Sequence, residues 1–387
     1  MIVTALALAL WAAPQEAPPL GSFDDAMDAF MRKRGVPGGA LAVVRDGRLV
    51  YAKGYGWADA EGKVPVSPTS LFRIASISKP VTAVAALALA ARGKLDLDAP
   101  AFGLLGLRPG EKGDPRLAAV TVRQLLHHTG GWDRARGDPM FKPVEIAGAA
   151  GKPPPADPDA ILRWMLDRPL DFEPGSRHVY SNFGYCVLGR VLEKVSGEPY
   201  GACVRKAVLE PMGISRMRLG RSLPEDRAAD EVRYYQPGKG VRPVFARVEE
   251  KEVPVPYGGF CLEAMDAHGG WLASAVDLAR FASSLERVLD AKGIGTLFEP
   301  PPGLEAGDVW YGCGWMVRCV GGGKRNTWHG GSLPGTHTLL VRRHDGLAWV
   351  VLFNQRSPTD GEIDPALHRA ADAVREWPRE DLFPRYR

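Results

Sequence analysis

The chain has 387 residues, 45% of them hydrophobic, with 49 basic and 45 acidic side chains for a net charge of +4. That length can bury a core large enough for two domains. The charge is close to balanced and no basic cluster marks a nucleic-acid surface, and past the N-terminus no apolar run reaches transmembrane length.

Residues 1–13, MIVTALALALWAA, read as the h-region of a secretory signal peptide, with residues 14–19 as the extended start of a mature chain. A basic n-region and a clean A-x-A cleavage site are missing, so a short structural helix is the alternative. A secreted or periplasmic protein without an integral membrane segment is expected. Residues 39–55 form a predicted β-hairpin turning at Asp46-Gly47. Helices are predicted over 81–92, 121–127, 158–166, 183–195 and 275–289. Strands follow over 310–320, 325–329, 338–343 and, after an Asp345-Gly346 turn, 347–353, before a final helix over 365–377. Strands at both ends with helices between predict an α/β (α+β) fold. One antiparallel sheet, from 20–75 and 300–387, is flanked by helices and carries an inserted, mostly helical domain over 76–299.

Cys186, Cys203, Cys261, Cys313 and Cys319 are odd in number and lack metal-site spacing. Cys313 and Cys319 fall in what reads as one strand. Six residues at ~3.3 Å each would hold them roughly 20 Å apart, beyond disulfide reach. Buried free thiols are expected.

Ser76-Ile77-Ser78-Lys79 is the only Ser-x-x-Lys and opens an apolar helix. At i, i+3 the two side chains share a helix face, so an amine with a lowered pKa can activate the hydroxyl, helped by the positive helix end. A surface Ser and Lys would have the same spacing, but the run after Lys79 is apolar almost all round, as in a buried helix. Tyr180-Ser181-Asn182 is the only Tyr-x-Asn, in a loop running into a helix. Asn182 can simply cap that helix, whereas the Tyr180 phenol can relay a proton. His-x-Gly occurs at His128, His268, His329 and His344. Only His329-Gly330-Gly331-Ser332 is expected to leave a strand of the terminal sheet, where small residues admit a substrate to a main-chain N–H.

With these three pieces in this order, the chain resembles the serine β-lactamase and penicillin-recognising family. The branch is that of class C β-lactamases, DD-peptidases, D-aminopeptidases and related esterases, and Ser-x-x-Lys is a signature of the superfamily. The likeness covers nearly all of the chain after about residue 22, through residues 125–131, 172–185, 269–281 and 311–315. It implies a β-lactamase/transpeptidase-like fold, with Ser76 as acylated nucleophile, Lys79 as its base and Tyr180 as the acid/base that protonates the leaving group. Asn182, His329, Gly330, Gly331 and Ser332 would bind substrate, with the N–H groups of Ser76 and Ser332 as the oxyanion hole. No metal or cofactor is implied, and the partner is a small ester, amide or peptide.

Class C β-lactamases carry Lys-Thr-Gly at the third box, and no Lys-Thr-Gly occurs here. His329 replaces a fixed cation with a group expected to titrate near neutrality. His-x-Gly is similar to the D-aminopeptidase and esterase members. The expected function is a serine hydrolase acting through an acyl-enzyme on a small ester or D-amino-acid-containing peptide or amide. Its rivals are a β-lactamase or DD-peptidase acting on cell-wall peptides, and a catalytically inactive scaffold. No Gly-x-Ser-x-Gly supports an α/β-hydrolase. His127 and His128 are expected to order the loop around the site, while Glu263, Asp266 and His268 are candidates for the pocket rim. Trp132, Trp271, Trp315 and Trp328 are expected mostly in the core, with a wall of the substrate pocket as the alternative for one of them. Substrate choice is assigned to loops 133–160 and 217–258.

Overall fold

The computed structural model describes residues 20–357 and 360–386. The expected leader, residues 1–19, lies outside them. Strands β1 (Gly38–Arg45) and β2 (Arg48–Asp59) form the predicted hairpin. Its turn residues Asp46 and Gly47 take φ of 50° and 77°, which suits an Asp-Gly pair between right-twisted strands. Short strands β3 (Val64–Pro65), β4 (Phe72–Arg73), β5 (Arg218–Leu219) and β6 (Trp271–Ala273) follow. The C-terminal third supplies β7 (Val309–Tyr311), β8 (Met316–Cys319), β9 (Arg325–Leu333), β10 (Thr336–Arg342) and β11 (Leu347–Phe353). Among the described residues, eight strands make one antiparallel sheet in the order β3-β2-β1-β11-β10-β9-β8-β7. The two ends of the chain meet at β1 and β11, where Gly39 pairs with Phe353 and Arg45 with Leu347.

The sheet is buried on both faces at its centre, as the period-2 geometry of β1 shows. Leu41 and Val43 pack with Phe23, Phe30, Ile363 and Leu367 from the terminal helices Gly21–Arg34 and Ile363–Asp372. Ala40, Ala42 and Val44 face the opposite core, which includes the Ser78–Ala91 helix. That helix is buried from Ser78 through Leu89, as its unbroken apolar sequence requires. Pro80 is tolerated because it falls in the first turn.

Several elements differ from expectation. The stretch 76–299 holds the Pro158–Leu166 and Asn182–Ser196 helices, but also β5 and β6, which join β4 in a second, three-stranded sheet. The helix expected over 275–289 stops at Ala282. There the Ser283 hydroxyl donates back to Ala279 O at 2.8 Å, the local bonding by which serine competes with helix continuation. The last helix ends at Asp372, not 377, and Trp377 lies against Phe23. The single strand expected over 310–320 is a hairpin, β7 and β8, reversed at Gly314 with φ 79°. Cys313 therefore sits in a turn and Cys319 at the end of β8. All five cysteines are free thiols, four of them buried and Cys319 exposed. Among the described residues no helix is long and apolar enough to cross a membrane.

Candidate active site

Ser76 is presented by a strained turn. After β4, a single 3₁₀ turn, Ala75–Ile77, leads into the Ser78–Ala91 helix. Ala75 has φ 47°, a left-handed conformation that costs a residue with a Cβ ~1 kcal/mol or more. Its surroundings hold it there: Ile74 N–H donates to Trp271 O at 3.0 Å, and Ile74 O accepts from Thr338 Oγ1 at 3.0 Å. Strand β9 passes so close that a Cβ on Gly331 would lie 2.3 Å from Ile74 O and 3.1 Å from Ser76 N. Only glycine fits at that crossing. Of residues 71–80, Ser76 alone is not buried.

One turn on, Lys79 is fully buried. Its Nζ is 3.2 Å from Ser76 Oγ and donates to Asn182 Oδ1 at 2.9 Å and His268 O at 3.0 Å. It also stands 4.6 Å above the centre of the Tyr180 ring. Burial pushes the Lys79 pKa well below the usual lysine range; Asp138 opposes this and Arg134 adds to it.

The Tyr180-Ser181-Asn182 segment overturns the capping alternative for Asn182. The cap is Ser181, whose Oγ accepts from Gly184 N at 3.1 Å. Asn182 is thereby free to bridge: its Nδ2 donates to Asp138 Oδ2 at 2.6 Å while its Oδ1 receives Lys79. Tyr180 hydrogen-bonds Ser76, and burial of the phenol raises its pKa while that bond works the other way. Ser76, Lys79, Tyr180 and Asn182 are thus gathered at one point.

His329 lies inside β9 and does not leave the strand as expected. It is 4% exposed, with Nδ1 2.7 Å from Gly330 O and Nε2 3.0 Å from the Tyr311 hydroxyl. A carbonyl only accepts, so Nδ1 carries the proton and Nε2 accepts from Tyr311. Burial and the Lys79 charge, outweighing the Gly330 bond, lower its pKa to about 3. The expected titration near neutrality is overturned: this imidazole stays neutral. Beyond it, Gly330 and Ser332 are exposed. The pairing of β8 with β9 ends at Trp328, leaving residues 330–332 without a strand on that side.

The remaining candidates have structural partners. His127 is buried between Tyr311 O (3.3 Å) and Cys313 Sγ (3.5 Å). His128, with φ 58°, accepts the Ser181 N–H on Nδ1 at 3.2 Å. Asp266 pairs with Arg190, and Glu263 accepts from the Ser222 hydroxyl and main chain. His268 meets Lys79 only through its carbonyl. None of Glu263, Asp266 and His268 lines the cleft that opens beside Asn182. That cleft, about 250 Å³, runs between residues 132–142 and 164–171 and carries Trp132, Trp164, Arg134 and Arg168 on its walls. Loop 217–258 contributes nothing to it. Trp271 and Trp315 are core, as expected, and Trp328 is stacked under Arg318. Asp138, Arg134 and Tyr311 were not among the expected site residues. Tyr311 fell within a matched segment, but nothing in Gly137-Asp138-Pro139 marks its aspartate as the partner of an asparagine 44 residues on.

Known proteins share both sequence and architecture with this chain. Esterase EstB of Burkholderia gladioli is 33% identical over 239 residues, covering 61% of this chain and 59% of the esterase. Penicillin-binding protein 4* of Bacillus subtilis is 25% identical over 356 residues, covering 87% of this chain and 72% of that protein. The chain therefore spans less than two thirds of the esterase's length. Among solved structures, the octameric penicillin-binding protein homologue from Pyrococcus abyssi superposes with a TM-score of 0.71 at 26% identity, over 93% of this chain and 78% of its own. The fold is β-lactamase/transpeptidase-like. The family model described as Beta-lactamase matches residues 23–373, and the chain belongs to that family.

Proposed function

We propose that this protein is a serine hydrolase acting through an acyl-enzyme on a small ester or a D-amino-acid-containing peptide or amide. The observation that carries this reading is the hydrogen-bond count at Lys79. A neutral amine has two hydrogens and one lone pair. Asn182 Oδ1 and His268 O are acceptors only and take both hydrogens. Asn182 cannot turn its amide around, because Asp138 holds the Nδ2 end. Nζ also donates to Ser76 Oγ, 3.2 Å away, so when the amine gives up one proton and keeps its bonds to Asn182 and His268, its lone pair faces the Ser76 hydroxyl. A lysine whose pKa is lowered by burial and which is aimed in this way can act as a general base.

In the proposed reaction Lys79 takes the Ser76 proton as Oγ attacks the substrate carbonyl. The oxyanion falls between the N–H groups of Ser76 and Ser332. Tyr180, bonded to Ser76, passes the proton to the leaving group, and water later cleaves the acyl-enzyme. Asn182 and the open stretch His329-Gly330-Gly331-Ser332 bind substrate on either side of Ser76. Residues 1–13 are proposed to direct export, with a mature start between residues 14 and 19.

The decisive experiment is intact-mass detection of an acyl or fluorophosphonate adduct, with rates on a short-chain p-nitrophenyl ester and a chromogenic cephalosporin. An adduct in the wild type that is absent in Ser76→Ala, with ester turnover falling ~10³-fold or more, is the expected result. No adduct would identify an inactive scaffold. Faster turnover of the cephalosporin than of the ester would identify a β-lactamase.

A further inference from the structure

We propose that the cleft beside Asn182 selects substrates whose acyl group ends in a carboxylate, with Arg134 and Arg168 as the recognition residues; this rests on the hydrolase reading above and names its substrate class. Ser76 does not line the cleft, but Asn182 does, and its amide oxygen receives Lys79 beside Ser76; in the proposal an acyl group attached at Ser76 passes that amide into the cleft. Its floor is apolar, formed by Trp132, Met165 and Phe183, which suits a short hydrocarbon chain.

The charges on its walls are unequally used. Both carboxylates are occupied. Asp138 accepts from Asn182 Nδ2 on one oxygen and from Met140 N at 3.1 Å on the other. Asp171 accepts from Asp133 N at 2.7 Å and faces Arg136 at 3.5 Å. The other two guanidinium groups are not so engaged. Arg134 lies over the Tyr180 ring, 5.4 Å from its centre. Arg168 stacks on Trp164 and donates one bond, at 2.9 Å, to Trp164 O. Among the described residues neither has a carboxylate within ion-pair distance. A guanidinium held over a ring without a carboxylate partner keeps N–H groups for a planar anion, which arginine can bind bidentately. On the other side of Ser76, residues 327–333 of β9 carry no lysine or arginine, and the His329 ring is bonded to Gly330 and Tyr311. Anion recognition in this site therefore falls to the cleft, and a substrate amine would meet no unoccupied carboxylate there.

The test compares kcat/KM for three p-nitrophenyl esters of matched length: valerate, mono-glutarate and 5-aminovalerate, ending in methyl, carboxylate and ammonium. The glutarate should be preferred over valerate by about tenfold or more, the range of a charge-assisted hydrogen bond at a partly wet site, with the aminovalerate slowest. Arg134→Gln and Arg168→Gln should each lower the glutarate-to-valerate ratio, and the double variant should bring it near one. Arg168→Lys should retain more of it than Arg168→Gln, which separates loss of charge from loss of the stack on Trp164. Comparing two esters within one variant cancels any general loss of turnover. A ratio near one in the wild type, a preference for the amine, or a ratio untouched in the double variant overturns the proposal while the hydrolase reading stands. No ester turnover and no Ser76 adduct would take down both.

Discussion

The main-chain N–H of Ser181 donates to the His128 ring at 3.2 Å, while the His128 carbonyl receives the N–H of Val179 at 3.0 Å. A histidine in the left-handed conformation thus grips both sides of Tyr180 from below, its ring 4.4 Å from the Tyr180 ring. Because Nδ1 accepts a main-chain proton, the ring must be neutral at that nitrogen, and burial holds its pKa well below the usual histidine value.

Replacing His128 should therefore act through the placement of Tyr180. His128→Asn keeps a residue tolerant of positive φ, whereas His128→Ala loses both the ring and that tolerance. We expect kcat to fall in both variants with KM changed far less, and the alanine variant to lose more thermal stability. Steady-state kinetics with thermal unfolding checks this; a change confined to KM would show that His128 orders the pocket and not the phenol.

Lys79→Ala and Tyr180→Phe should each reduce acylation heavily, yet the double variant should lose much less than the product of the two, because both groups serve the same proton at Ser76. Pre-steady-state acylation rates of the four proteins complete the cycle. Independent losses would mean that the two side chains handle different protons.

Asp138 is the acid that opposes the lowering of the Lys79 pKa. In Asp138→Asn the amide can still accept from Asn182, but the negative charge is gone, so the charged lysine is less favoured. The acidic limb of the kcat/KM profile should move to lower pH. Movement to higher pH would show that Lys79 does not set that limb.

His329 and His127, with pKa values lowered by burial to about 3 and about 4, should make the fold acid-sensitive. Unfolding raises each toward ~6.5, so the unfolded chain binds more protons between these limits and stability rises with pH there. The contribution is complete above about pH 6.5 and is lost as pH falls toward 4. Melting temperatures should drop from pH 7 to 5, less steeply in His329→Gln. The ratio of cephalosporin to neutral-ester turnover should meanwhile stay flat from pH 5.5 to 9, since His329 carries no charge across that range.

The Ser-x-x-Lys helix start, the Tyr-x-Asn loop and the N-terminal hairpin were legible because each is local: Asp46-Gly47 sets a turn, and the run after Lys79 sets a buried helix. The division of labour between Ser181 and Asn182 was not, since either can cap a helix and only Asp138, distant in sequence, decides between them. His329 was misjudged for a related reason. A histidine's pKa depends on burial, and the His329 ring is buried against Tyr311, in a strand whose own sequence is polar and small. The hairpin at Gly314 was hidden in an apolar stretch that reads as one strand. Its reversal becomes necessary only because Gly314 packs against the main chain of Lys79.

The pairing of β1 with β11 has a consequence for biosynthesis. Gly39 waits for Phe353, and the Ser76 turn waits for Thr338 and Gly331 to clamp Ile74. Contacts this far apart in sequence form late, so a nascent or prematurely terminated chain holds Ser76 but lacks the strand that fixes it. Such a chain should be inert toward esters, and its uncovered β1–β2 hairpin should make it prone to aggregation.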